Sequence, residues 1–140
     1  MKSRAVPFLL ALLASAAFFT LPSIVGACAG TRARETVLMP AMAAAWSQML
    51  AKHVEAAAAA GVVENVEPKT LREKSAAMQT ALDSGDRYAV SADDWNLLRP
   101  AALAGVQVRV NANEIGPGVG LEIVETVRQF DQRMIQLKAR

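Results

Sequence analysis

The residues of this chain that could do chemistry are few and scattered. His53 is the only histidine, with Glu55 two positions on and Glu64 beyond. Residues two apart on a helix do not share a face. No second histidine and no suitably placed cysteine completes a zinc set, so no metal site is expected, and His53 reads as a satisfied or half-exposed helix residue. Asp93-Asp94, with Glu114 elsewhere, supply the carboxylates for acid–base work. Two and three positions after Ser91, the aspartates have a simpler role, since acidic residues in a first turn suit a capped helix N-terminus. A hydrolase built on carboxylates alone would need two of them converging about 5–9.5 Å apart. Gly116-Pro117-Gly118-Val119-Gly120 resembles an anion cradle only superficially. It has no Walker lysine, and its proline offers no N–H. Trp46 and Trp95 are the remaining candidates, as walls of an apolar groove between helices or as core. No catalytic set emerges and no cofactor is implied, so the expectation is a non-enzymatic protein.

The strongest pattern lies at the N-terminus. Lys2 and Arg4 precede a stretch without charge from Ala5 to Thr31, which begins with the apolar run Val6–Ala14 and closes on Val25-Gly26-Ala27-Cys28-Ala29-Gly30. Positive, apolar and small-residue regions in that order make an export signal. Val25-Gly26-Ala27-Cys28 resembles the lipobox of bacterial lipoproteins, an aliphatic residue and two small ones before the obligatory cysteine. The resemblance covers the signal segment only. It implies that residues 1–27 are removed and that Cys28 becomes an acylated N-terminus held in the membrane. It also implies that Ala29, in place of aspartate, directs the protein to the outer membrane, facing the periplasm. Two alternatives stay open. Ala27-Cys28-Ala29 is also an A-x-A site, and cleavage after Ala29 would release a soluble periplasmic or secreted protein; an uncleaved apolar segment could also serve as the anchor. Cys28 is the sole cysteine, so no disulfide framework is available.

Lys2 and Arg4 account for the whole formal charge of +2. The rest of the chain is balanced and without like-charge blocks, which excludes an electrostatic footprint for nucleic acid. The expected partners are the membrane, through Cys28, and an envelope protein or an apolar ligand.

After a short tether, residues 28–36, the elements that must position these side chains form a single helical domain over 37–140. A first helix from about Thr36 to Ala60 places Leu38, Met42, Trp46, Met49 and His53 on one face. Pro40 is tolerable there only in the first turn, and Gly61 is a natural C-terminal stop. A second helix opens at Glu67-Pro68, buries Leu71, Ser75, Met78 and Leu82, and ends at Ser84-Gly85. Asp86–Val90 is a connector that could be extended. The third helix begins at the Ser91 cap and carries Trp95, Leu98, Ala102, Val106 and Val110, with Pro100 expected to kink or divide it. The alternation at 106–110 also fits a strand, but helix is favoured because Ala101–Ala104 leads into it and no partner strand is visible. The last helix, about 118–138, repeats Ile123, Val127, Phe130, Met134 and Leu137 at heptad spacing. The fold class is therefore all-α, a small antiparallel bundle of about four helices, with Trp46, Trp95 and Phe130 as its large core pieces.

Overall fold

The computed structural model describes residues 33–139, and its compact unit is Thr36–Arg140. That unit is an all-α bundle of four helices, with no strand among the described residues. In α1, residues 33–45 are α-helical, Trp46–Leu50 form a π-helical turn, and Ala51–Ala60 resume the α-helix. The others are α2 (Pro68–Ser84), α3 (Ala92–Asn111) and α4 (Pro117–Lys138), with a 3₁₀ turn at Arg87–Ala89 between α2 and α3.

Local chemistry sets most of the boundaries. Pro68 and Pro117 sit in the first turns of α2 and α4, where the missing N–H costs nothing and the fixed φ suits a helix. Gly61 and Gly85 close α1 and α2 in the left-handed region, at φ +63° and +69°, which a side chain would resist. The Ser91 hydroxyl accepts from the Asp94 N–H at 3.2 Å and caps α3. The connector before it turns as a 3₁₀ helix because the Asp86 carboxylate accepts from the Tyr88 N–H at 2.9 Å, so it is not extended. Gly116 is the N-cap of α4 and Pro117–Gly120 are its first turn, where a Cβ on Gly120 would lie 3.0 Å from Val110.

Three expectations need correction. Residues 33–45 are helical, so Pro40 lies in the interior of α1 rather than in its first turn; it is exposed there, where its ring meets solvent. Pro100 does not divide α3, which is helical from Ala92 to Asn111; the helix favoured at 106–110 is present as expected. The buried stripe of α1 also differs: Met39, Met42, Trp46, Leu50, Val54, Ala57 and Ala58 are buried, while Leu38 and Met49 are only half-buried. Successive spacings of four drift around an α-helix by about 40° each time. The π turn, in which the Ala51 N–H reaches the Trp46 carbonyl, adds a residue to one turn and takes up that drift.

The helix order is up, down, up, down. Ser47 meets Gln79 and Glu55 meets Arg72, so α2 runs against α1. Trp46 meets Trp95 and His53 meets Gly105, so α3 runs with α1. Trp95 meets Asp131 and Val110 meets Gly120, so α4 runs against α3. The parallel pair α1–α3 makes the broadest contact; α2 and α4 flank it.

At its centre a Cβ on Gly105 would overlap the His53 carbonyl oxygen. The two backbones touch there, and Ala57, Ala58, Ala101 and Ala102, all buried, keep the approach close on either side. Gly105→Ala must therefore push α1 and α3 apart, and is expected to cost about 3 kcal/mol or more. Gly118→Ala, where an added Cβ meets nothing within 4 Å, should be neutral or stabilising by up to about 1 kcal/mol. Urea unfolding of the two variants against the parent checks the contrast.

Candidate functional site

Trp46 and Trp95 come together, but inside the protein. Both are at most 2% exposed. Their rings meet edge-on at 6.4 Å between centroids, and Phe130 completes the cluster at 5.9 Å from Trp46 and 4.5 Å from Trp95. Each indole N–H has a partner, as a buried indole requires. Trp46 Nε1 donates to the Ser75 carbonyl at 3.3 Å, and Trp95 Nε1 donates to Asp131 Oδ1 at 2.7 Å. Arg99 also reaches Asp131, at 3.3 Å. This arrangement ties α1 to α2 and α3 to α4 through their aromatic residues.

Grooves among the described residues include two of similar size. One, of about 530 Å³, lies between α1 and α2 with Trp46 beneath it and Ser47, Glu55, Arg72, Gln79 and Asp83 around it. Its polar rim is already bonded. Arg72 grips Glu55 through two nitrogens at 2.7–3.1 Å, the Ser47 hydroxyl donates to Gln79 at 2.7 Å, and the Gln79 amide donates to Asp83 at 2.8 Å. The bond from Arg72 holds the Glu55 carboxyl below its ordinary range, so it is an anion rather than an acid. The other groove, of about 620 Å³, is more apolar and lies where the loop after α1 crosses α3, between Val62, Val66, Leu97, Pro100 and Ala104. Sequence reasoning missed it, because Val62 and Val66 belong to an irregular segment without periodicity. Trp95 lines neither groove.

The other candidates have structural roles. Asp94 pairs with Lys74 at 3.0 Å, and Glu114 pairs with Arg109 at 2.9 Å. Among the described residues no group of three or more His, Cys, Asp and Glu is placed to hold a metal ion. His53 is neither half-exposed nor fully satisfied: it is 2% exposed, and Nδ1 has no hydrogen-bond partner. Burial disfavours its charged form, and the positive charges of Arg109 and Lys52 add to this, so its pKa lies below the ordinary 6.5.

Val25, Gly26, Ala27, Cys28 and Ala29 lie outside the described residues. No helix among the described residues is long and apolar enough to cross a membrane.

Among the described residues, exposed large apolar side chains are most numerous on α4. Its inner stripe, from Ile123 to Leu137, is buried, yet Leu121, Val124 and Ile135 on another face are 71%, 41% and 61% exposed. Beside them Arg128 bonds Glu125 at 2.6–2.7 Å, and that bond with one from Gln129 lowers the Glu125 carboxyl to about 2. No known protein family, curated protein or solved structure matches the chain.

The buried imidazole gives the fold a pH dependence. The unfolded chain binds a proton on His53 near pH 6.5, while the folded chain resists it to a lower pH. Stability contributed by neutral His53 is present above pH 6.5 and is lost as pH falls toward the depressed folded value. Urea midpoints measured from pH 7.5 to 5 should fall on acidification, with a shallower fall in His53→Gln.

Proposed function

We propose that this protein is an exported lipoprotein, acylated at Cys28, whose helical unit is a non-enzymatic interaction module of the bacterial envelope. The observation that carries the module reading is the outer face of α4. Single exposed apolar residues are ordinary, but Leu121, Val124 and Ile135 lie along one helix face, as a contact surface does. The ionic side chains around the polar groove support the same reading, because each is engaged by a neighbour rather than held ready for a substrate.

The lipobox-like Val25-Gly26-Ala27-Cys28 supports the anchor, with membrane residence through acyl chains that contribute about 0.8 kcal/mol per buried CH₂. Outer-membrane attachment facing the periplasm follows from Ala29 under the same resemblance. A tethered domain then works by local concentration.

The intact mass of the protein from the membrane fraction tests the anchor. The expected species begins at Cys28 and carries acyl chains, and Cys28→Ser leaves an unprocessed precursor without them. A soluble species beginning at Gly30 would overturn the anchor.

A second reading, a soluble exported binder cleaved after Ala29, draws on the apolar groove beside Val62, Val66 and Leu97. It predicts that a fatty-acid probe binds the purified protein and that Leu97→Glu weakens binding at least tenfold. Under the module reading the probe titration is flat.

A further inference from the structure

α4 bears a second heptad seam beside the one that it buries in the bundle. Leu121, Val124, Arg128, Asp131, Ile135 and Lys138 follow one another at spacings of three and four, the a/d pattern of a coiled coil. The buried stripe occupies the adjacent face; Leu121, Val124 and Ile135 of the seam are exposed, while Asp131 turns partly to α3, where it bonds Trp95 and Arg99. The side chains of Arg128 and Asp131 are 57% and 29% exposed.

The order of the seam identifies what fits it. About its midpoint, between Gln129 and Phe130, Leu121 is the counterpart of Lys138, Val124 of Ile135, and Arg128 of Asp131. Laid antiparallel on a second α4 with the midpoints together, every a position meets a d position. Val124 then faces Ile135 of the partner subunit, and Leu121 packs on the aliphatic stem of Lys138 of the partner subunit. Arg128 faces Asp131 of the partner subunit, and the two-fold axis makes each of these contacts twice. A parallel, in-register pairing would instead set Arg128 on Arg128 and Asp131 on Asp131, like charge on like.

The side chains have capacity for the new bond. Arg128 uses Nε and Nη2 on Glu125, and a guanidinium has five N–H donors. Asp131 accepts one short bond from Trp95 and long ones from Arg99, at 3.3 and 3.4 Å, while a carboxylate offers about four acceptor positions.

We infer that the outer face of α4 is a self-association surface, through which two copies of this chain pair antiparallel in the register Val124–Ile135 and Arg128–Asp131. This rests on the interaction-module reading and names its partner. The seam is about 27 Å long at 1.5 Å per residue, which places the contact among small, reversible interfaces. Anchoring both copies in one membrane would raise their effective concentration.

The test uses the full chain with Cys28→Ser, in mild detergent, carrying either Val124→Cys or Ile135→Cys and treated with a short bis-maleimide. An equal mixture of the two variants should give at least fivefold more covalent dimer than either alone. Like positions lie about 16 Å apart along the axis in this register, beyond the linker. Arg128→Asp, added to both, should lower the yield at least fivefold with the circular dichroism and melting temperature unchanged. Equal cross-linking in the mixture and in the single variants overturns the register, and no dimer in the mixture overturns self-association. Either failure leaves the anchored module to be decided by the intact mass of the membrane-bound protein.

Discussion

Two backbones meet where the carbonyl of His53 lies against Gly105, and the plan of the molecule follows from that approach. Helices usually keep about 8–10 Å between their axes, with side chains filling the gap. Here there is no room for even a methyl group at the crossing, and buried alanines lie on either side of it. A small-residue seam lets α1 and α3 form a central pair. The large residues are displaced toward the ends and flanks, where Trp46, Trp95 and Phe130 gather. α2 and α4 cover the sides of this pair. Because α4 is a flanking helix, one of its faces is committed to α3 and another is left to solvent.

The close approach also accounts for the state of His53. A histidine on the face of α1 that meets α3 has little space for a partner at Nδ1, and its neighbours in charge, Arg109 and Lys52, are cations. Neutral imidazole is the form that fits. The charges at the surface behave differently. Glu55 with Arg72, Asp94 with Lys74, and Asp131 with Arg99 each join two helices. Such partly exposed pairs are worth little in energy; their effect is to fix which helix lies beside which.

Much of the bundle was legible from the sequence because its signals are local. Pro68, Pro117, Ser91, Gly61 and Gly85 punctuate the helices by their own backbone chemistry, and the seam from Ile123 to Leu137 needs only period counting. The misreadings share a different cause. The shift from Met49 to Leu50 depends on a π turn, which no local pattern announces. Pro100 stays within a continuous helix. Gly105 carries no local signal, since its importance comes from a residue more than fifty positions away. The candidate site was less legible. The tryptophans were identifiable as large core pieces but their partners were not: Asp131 gave no sign that it receives an indole N–H, and the outer seam of α4 is masked in composition by its three charged members.

The position of α1 has a mechanical consequence. The compact unit begins at Thr36, and the first side chains of its core, Met39 and Met42, are buried within two turns of that point. A load applied at that end enters the central helix rather than a flanking one. It acts as shear along the α1–α3 contact, so the packing of many residues resists together. Peeling an outer helix would break contacts one turn at a time. The N-terminal end of the compact unit is thus the end of the helix that makes its broadest contact.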